Sequence, residues 1–270
     1  MRFLGDGRTR RRHHDIHVNS DRHAEVEKKR GQPRIFSDGA PRERKQGQGT
    51  MGHSKNLLVV KLGGSSASSP DLIRWVRALE QSNIPMVVVP GGGPFANTVR
   101  RYQPKLGFDD RAAHEMAILG MEQFGLALIS LSSRMVRARD RGDIETAIEA
   151  GRIPVWLARD VALTSPDIAQ DWSVTSDSLA AWLARRLSAR HLCLIKQIDV
   201  PQGANIEALI GAKIVDENFG YHLSDESTVY VAGPGDLPAA GLRLLDGQVP
   251  GHRLSRRSIE RSERLVVAAE

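Results

Sequence analysis

A chain of 270 residues, of which 40% are hydrophobic, is long enough to bury a substantial core in one large or two small domains. Its single cysteine, Cys193, excludes an intramolecular disulfide framework and fits a reducing, cytoplasmic location. Its net charge of +6 equals the excess of 13 Lys and Arg over 7 Asp and Glu in residues 1–50, so the charge implies no nucleic-acid partner for the rest of the chain.

Residues 1–53 combine few apolar residues with many charges and irregularly spaced histidines. This composition cannot bury enough apolar surface to fold, so we predict a disordered basic leader. The leader lacks the apolar stretch of a secretory signal, and it contains more acidic residues than a transit peptide normally does. Because Met51 stands just before the first predicted strand, we interpret Met51 as the native start. One domain is predicted over residues 54–250, and a charged tail, frayed from residue 252, over residues 251–270.

Strand-like and helix-like patterns alternate after the leader. Apolar runs predict buried strands at residues 57–61, 86–90, 154–157, 191–195 and 228–232. Helical periods lie at residues 70–81, 96–102, 109–140 and 176–186. Ser69 is the predicted N-cap of the first helix and Pro70 its first residue, while Gly120 and Gly125 argue against one unbroken helix in the third. The alternation predicts an α/β protein with a mostly parallel sheet between helices.

No apolar run in the sequence reaches the roughly 18 residues that a membrane-spanning helix needs, so no membrane association is expected. The cysteine lies inside an apolar run of the fourth predicted strand. In that setting a buried core thiol is a better interpretation of Cys193 than a nucleophile.

The first predicted strand ends in Lys61 and leads into a loop that contains Gly63, Gly64 and Ser65. Such a loop lets backbone N–H groups point at an anion, and glycine lets a phosphate approach closely. The spacing matches neither a Walker A motif nor a dinucleotide-binding G-x-G-x-x-G motif. We interpret the loop as a phosphate cradle, with a purely structural turn as the alternative.

A triple glycine, Gly91, Gly92 and Gly93, follows the second predicted strand. Three flexible residues in a row cost conformational entropy without adding packing, and a backbone that must approach a ligand explains them. Because the carboxyl ends of parallel strands meet at one edge of a sheet, both glycine loops are expected to face one cleft. Arg100, within two turns of the triple glycine, either binds a phosphate there or lies on a solvated helix face.

Two further charged residues stand where they can reach the same cleft. Asp177 falls in the first turn of the helix that begins after Thr175, where it is either an ordinary first-turn acid or a carboxylate that orients lysines beside a transferring phosphoryl group. Lys196 directly follows the fourth predicted strand, and its alternative is an ordinary surface lysine. For His114, an alanine-rich helical setting favours a pocket-lining or core role over a general base.

Three motifs, in this order, resemble the amino acid kinase family. They are Lys-x-Gly-Gly after the first strand, Gly-Gly-Gly after the second, and Thr-Ser-Asp-Ser-x-Ala-Ala at a helix start. The resemblance covers residues 55–235 and implies a three-layer αβα sandwich with a mostly parallel central sheet. It also implies ATP and Mg²⁺ as cofactors, in-line phosphoryl transfer to a small-molecule acceptor, and a homo-oligomer.

The resemblance also implies roles for individual residues. The implied catalytic residues are Lys61, Asp177 and Lys196. The implied ATP and phosphate contacts are Lys61, Gly63, Gly64, Ser65, Lys196 and Asp199. The implied acceptor contacts are Gly91, Gly92, Gly93, Arg100, Ser173 and Thr175. No residue is assigned as a metal ligand, and the second phosphate-binding lysine is either Lys196 or Lys213.

Three functions remain open at this point. The segments around the triple glycine, His114 and Asp177 are most similar to a small branch of the family whose acceptor already carries a phosphate. A second possibility keeps the fold and changes the acceptor to a carboxylate, an isoprenoid phosphate or a nucleotide. A third is a nucleotide-binding protein without turnover, and the joint presence of Lys61, both glycine loops and Asp177 argues against it.

Overall fold

The computed structural model describes residues 56–255. The leader predicted over residues 1–53, the start proposed at Met51 and the part of the predicted tail beyond residue 255 lie outside the described residues.

Seven strands of the described part form one sheet in the order β3-β4-β2-β1-β5-β6-β7. Neighbouring strands pair in parallel, except that β7 runs antiparallel to β6. The strands are β1 (Leu58–Leu62), β2 (Met86–Pro90), β3 (Met135–Ala138), β4 (Ile153–Trp156), β5 (His191–Ile195), β6 (Thr228–Ala232) and β7 (His252–Arg253). The predicted α/β class with a mostly parallel central sheet is confirmed, and β1 is the central strand.

Nine α-helices connect or flank the strands within residues 56–255. They are α1 (Leu72–Glu80), α2 (Gly93–Leu106), α3 (Asp110–Ser130), α4 (Arg141–Glu149), α5 (Arg159–Ala162), α6 (Ser176–Arg186), α7 (Ile206–Gly211), α8 (Phe219–His222) and α9 (Leu237–Leu245). Short 3-10 helices lie at Gly64–Ser68 and Pro234–Asp236. None of the described helices is both long enough and apolar enough to cross a lipid bilayer.

The central strand buries side chains on both of its faces. Val59 packs into a core that α6 supplies with Leu179 and Leu183. Its neighbours along β1, residues 58 and 60, pack into a second core with Trp75 of α1 and Leu244 of α9. Because successive side chains of a strand point to opposite faces, the sheet lies between two helical layers.

The helix predicted over residues 109–140 is wrong in its last third. Helix α3 ends at Ser130, and residues 135–138 form the edge strand β3. The carboxylate of Glu80 accepts hydrogen bonds from the Ser132 hydroxyl at 2.6 Å and the Ser133 amide at 2.7 Å. The Ser132 hydroxyl in turn accepts the Met135 amide at 3.0 Å. Side-chain oxygens thus accept the backbone N–H groups that a continuing helix would have bonded to its own carbonyls. The apolar period of the sequence could not reveal these contacts.

The two glycines of α3 do not interrupt the helix; they allow close packing. A Cβ on Gly120 would lie 3.0 Å from the backbone nitrogen of Ala96, at the start of α2. A Cβ on Gly125 would lie 3.2 Å from side-chain atoms of Pro90 and Leu157. The expectation that Gly120 and Gly125 interrupt the helix was therefore wrong. These glycines bring α3 close to the triple-glycine bend and to the sheet.

Other predicted boundaries also differ from the structure, among them that of α2, which spans Gly93–Leu106 and not residues 96–102. Helix α1 begins at Leu72 with Asp71 at the N-cap position, so the predictions of Ser69 as N-cap and of Pro70 as the first helical residue were wrong. Ser69 ends the preceding 3-10 helix in an extended conformation, and its hydroxyl accepts the Asp71 amide at 3.2 Å. At the other end, residues 252–253 were predicted to be frayed but pair with β6, and Leu254 beyond them is buried.

The thiol of Cys193 is buried in β5, as the apolar run predicted. Burial raises the pKa of this thiol to about 12, so the reactive thiolate is not formed at neutral pH. Cys193 is therefore a core residue.

Candidate active site

The carboxyl ends of β1, β2 and β5 lie side by side. Lys61 of β1 is in register with Val89 of β2 on one side and Leu194 of β5 on the other. The chain leaves β1 toward β2 and later returns on the opposite side at β5, so the strand order reverses at β1. Open α/β sheets form their ligand clefts at the carboxyl ends of strands where this reversal occurs.

The two glycine loops are in direct backbone contact at this edge. A Cβ on Gly64 would lie 2.0 Å from the backbone nitrogen of Gly93, and a Cβ on Gly91 would lie 2.2 Å from the backbone nitrogen of Gly64. Gly93 begins α2 with φ +54°, in the left-handed region that favours glycine. Glycine is therefore required at these positions because two backbones meet there.

Three charged side chains meet beside the loops. Lys61 Nζ lies 3.1 Å from Asp177 Oδ1, and Lys196 Nζ donates to Asp177 Oδ1 and Oδ2 at 2.9 and 2.8 Å. All three are buried, and Lys196, the most exposed of them, is 8% exposed. The cluster is thus a carboxylate held between two ammonium groups, with one positive charge in excess that suits a bound anion.

The charge states of this cluster follow from burial and proximity. Burial by itself raises the pKa of Asp177, but the ammonium groups of Lys61 and Lys196 outweigh it, so the pKa lies below its usual value and the carboxyl is ionised. Burial, together with the neighbouring Lys61 charge, lowers the pKa of Lys196 to about 8, against the attraction of Asp177. Lys196 can therefore change its charge near neutral pH, whereas Asp177 cannot.

A second carboxylate, Asp216, fixes the start of the helix that carries Asp177. Asp216 Oδ2 accepts hydrogen bonds from the Thr175 amide at 2.9 Å, the Thr175 hydroxyl at 2.6 Å and the Ser178 amide at 3.1 Å. The same segment positions a lysine of the cluster, because the Ile214 carbonyl accepts Lys196 Nζ at 2.5 Å. Asp177 and Lys196 are thus both held by residues 214–216, which the sequence analysis left without a role.

The segment that leads into α6 contacts helix α2 through Trp172. Trp172 Nε1 donates to Gln103 Oε1 of α2 at 2.6 Å, and Arg100 lies over the Trp172 ring at 4.3 Å. The Ser173 hydroxyl is hydrogen-bonded to Asp171 and accepts the amide of Asn218 at 2.7 Å. The predicted acceptor residues Arg100, Ser173 and Thr175 therefore belong to one connected region, in which both hydroxyls bind carboxylates.

Lys196 and Asp199, which were both predicted to contact the nucleotide, bind different partners. Lys196 turns to Asp177, whereas Asp199 Oδ1 accepts the Gly235 amide at 2.9 Å, in the loop after β6. A Cβ on Gly233 would lie 2.2 Å from Asp199 Oδ1, so this loop packs closely on the carboxylate. Lys213, the other candidate for the second lysine, is exposed with φ +56°. Of the two candidates, Lys196 is the one that contacts Asp177.

The first glycine loop is also tied to the end of β5. Gln197 Nε2 donates to the hydroxyl of the buried Ser66 at 2.9 Å, and the Gly63 amide donates to the Ile195 carbonyl at 3.2 Å. Ser65 beside them is exposed. The sequence analysis missed Gln197 and Asp216, because their partners lie 131 and about 40 residues away and no local pattern links them.

The described geometry agrees with the family comparison. The model of the amino acid kinase family matches residues 56–200, more than half of the chain, and the chain belongs to that family. The family and the fold define a phosphotransferase.

More particular likenesses refine this class. The chain is 28% identical over 206 residues to "[5-(aminomethyl)furan-3-yl]methyl phosphate kinase" of Methanocaldococcus jannaschii, covering 71% of this chain and 94% of that relative. Its fold is similar to a uridylate kinase from Archaeoglobus fulgidus, at 18% identity and a TM-score of 0.54, over 73% of this chain and 99% of that one. It is also similar to UMP kinase from Ureaplasma parvum, at 15% identity and a TM-score of 0.55, over 75% and 100% of the two chains.

Proposed function

We propose that this protein is an ATP-dependent kinase that transfers the γ-phosphoryl group to [5-(aminomethyl)furan-3-yl]methyl phosphate and forms its diphosphate. We further propose that this reaction is a step of methanofuran biosynthesis and that a homo-oligomer carries it out in the cytoplasm. The acceptor is the one named for the relative from Methanocaldococcus jannaschii, and at 28% identity it is a proposal for this chain.

The observation that carries the kinase proposal is the buried cluster of Lys61, Asp177 and Lys196 beside two glycine loops in backbone contact. Phosphoryl transfer has little covalent chemistry for a protein to perform, so catalysis consists of alignment and neutralisation of charge. Two ammonium groups in a site with little water stabilise charge that spreads over the phosphoryl oxygens. Asp177 keeps both ammonium groups in place until an anion binds.

The loops contribute alignment in this mechanism. Gly64 would present its backbone N–H group to the transferring phosphoryl group, whereas the Gly63 amide donates to the Ile195 carbonyl. Gly91, Gly92 and Gly93 would allow the acceptor to approach from the opposite side. An acceptor that is already a phosphate offers an oxygen that is anionic near neutral pH. The reaction therefore needs no strong general base beside the acceptor.

Mg²⁺ enters this proposal with the nucleotide. Residues 56–255 contain no cluster of three His, Cys, Asp or Glu side chains suited to a metal ion, and both Asp177 oxygens bind lysines. The donor set of the described residues therefore does not build a protein-held metal site. Mg²⁺ commonly binds to substrate phosphates and water, with few protein ligands.

The test of the proposed function is a direct assay of the purified full-length chain with ATP and the furan phosphate. We expect ADP and the furan diphosphate in equal amounts, identified by mass spectrometry. Parallel reactions with UMP, isopentenyl phosphate and N-acetylglutamate test the alternative acceptors of the family. If one of these reacts faster than the furan phosphate, it replaces the proposed acceptor. If ATP is consumed with none of the four acceptors, the result contradicts a kinase function.

The pH dependence of the reaction tests the role of Lys196. Its pKa of about 8 means that the ammonium is present below that pH and is lost above it. We therefore expect kcat/KM for ATP to fall as pH rises through about 8, because kcat/KM reports the groups of the free enzyme. In kcat the same fall should occur at higher pH, since bound phosphates stabilise the ammonium.

Lys196→Arg provides the control for this pH dependence, because a guanidinium keeps its charge over the whole range. We expect this variant to be slower than wild type, since its geometry differs, but to lose the alkaline fall. An alkaline fall that persists unchanged in Lys196→Arg would contradict the assignment to Lys196.

A further inference from the structure

His114 of α3 has one ring nitrogen that is satisfied and one that is not. The side chain is buried, at 3% exposure, and Nδ1 lies 3.1 Å from the Asp171 carbonyl oxygen. Nε2 is buried and has no hydrogen-bond partner among the residues that the structure describes. Buried polar atoms in native proteins nearly always have a partner, so an open Nε2 indicates a group that binds there.

The chemistry of that group follows from the tautomer. A carbonyl oxygen can only accept, so Nδ1 must carry the proton that is donated to Asp171. Burial lowers the pKa of His114, against the carbonyl and carboxylate of Asp171, and the ring is neutral at physiological pH. Nε2 is then a lone pair, and the missing partner must donate a hydrogen bond.

The position of His114 connects it to the acceptor side of the cleft. One turn further along α3, the Ala117 carbonyl would lie 3.8 Å from a Cβ on Gly92, in the triple-glycine bend. Its partner Asp171 belongs to the segment that leads to Asp177, and the two hydrogen bonds from Ser173 to Asp171 both end on Oδ1. The Asp171 carboxylate is close enough to the His114 ring for each group to shift the pKa of the other, so the two lie on elements that adjoin the bend and α6.

We infer that His114 Nε2, with the Asp171 carboxylate beside it, binds the ammonium group of the acceptor. This inference rests on the proposed function. The proposed acceptor has an aminomethyl group, a furan ring and a phosphate. The furan oxygen and an ionised phosphate accept hydrogen bonds, and the ammonium is the group that donates them. His114 is thus a specificity residue that distinguishes the aminomethyl compound from neutral analogues of the same shape.

The experiment compares two acceptors and three enzymes. The acceptors are the aminomethyl furan phosphate and its analogue with a methyl group in place of the aminomethyl group. The enzymes are wild type, His114→Phe, which removes both ring nitrogens, and His114→Gln, whose amide oxygen can accept near the position of Nε2. We expect wild type to prefer the aminomethyl acceptor in kcat/KM, and His114→Phe to lose about 10- to 100-fold of that preference, the range of a hydrogen bond to a charged group.

The matched measurements separate binding from folding. KM for ATP should stay at its wild-type value in His114→Phe, and His114→Gln should retain part of the preference. In wild type, the ¹⁵N resonance of the unprotonated His114 nitrogen should move when the aminomethyl acceptor is added, and less with the methyl analogue. If His114→Phe does not fold, this comparison of the ¹⁵N resonance in wild type with the two acceptors is a sufficient test of the inference.

Equal preference in wild type and His114→Phe, or equal movement of the resonance with both compounds, would overturn the inference while leaving the kinase proposal intact. Absence of turnover of either furan phosphate by wild type would instead overturn the proposed acceptor, and the inference with it.

Discussion

Asp177→Asn is expected to reduce phosphoryl transfer on the order of 100- to 1,000-fold or more, with Lys61→Ala in the same range. In Asp177→Asn the ammonium groups of Lys61 and Lys196 lose the carboxylate that lies 3.1 and 2.8 Å from them. Two like charges then repel each other in a buried site, and neither is held at the transferring phosphoryl group. In Lys61→Ala, Asp177 still pairs with Lys196, and the two charges cancel. The excess positive charge that could attract an anion is then lost.

Stability has to be measured together with activity for these variants. Removing one partner of a buried ion pair costs about 3–5 kcal/mol, so Asp177→Asn should unfold at lower denaturant concentration. Asp160→Asn is the control for a simple loss of negative charge. The Asp160 side chain is 63% exposed and lies 3.9 Å from Arg139, where an ion pair contributes little. Near wild-type turnover in both Asp177→Asn and Lys61→Ala would rule out this active site.

Gly64→Ala is expected to reduce both activity and stability. The added Cβ would lie 2.0 Å from Gly93 N and 2.6 Å from Gly93 Cα, and neither is the movable end of a flexible side chain. The two loops must therefore separate. Overpacking of this kind costs about 1–3 kcal/mol, and a shift of about 1 Å between reacting groups can cost about 100-fold in rate. Kinetics and chemical denaturation measure the two effects.

Gly211→Ala is the matched control for that substitution. Gly211 is the last residue of α7, and a Cβ there would have no atom within 4 Å. Alanine is the better helix former by about 1 kcal/mol, so wild-type activity and equal or greater stability are expected. If Gly64→Ala behaved like Gly211→Ala, close contact between the glycine loops would not matter for function.

The sequence predicted the elements with strong local signals. The apolar runs of β2, β5 and β6 match the observed strands, because most of their residues are buried and a strand buried on both faces needs no alternation. The helix at residues 176–186 was predicted with its observed bounds, since Thr175 caps it through its own hydroxyl. Strand β3 was predicted as helix because the helical period of α3 was extended through residues 135–138.

The candidate site divides in the same way. Lys61, Asp177, Lys196 and both glycine loops were selected from residue type and position at element ends, and these positions lie together in the structure. Asp199 was selected with Lys196 but contacts the loop after β6. Asp216 was not selected, although it holds the start of α6, because it stands in a stretch with no recognised pattern.

By itself, the sequence determined the α/β class, the order of the central elements and the types of residue at their carboxyl ends. These properties depend on apolar runs, caps and glycines that lie within a few residues of each other, so they can be read locally. Only the tertiary structure decided which glycine backbones touch, that Lys61 and Lys196 both pair with Asp177, that Asp216 holds the start of α6, and that His114 Nδ1 meets the Asp171 carbonyl. Those contacts join residues from 19 to more than 50 positions apart, and their free energy exists only after the sheet has brought the strand ends together.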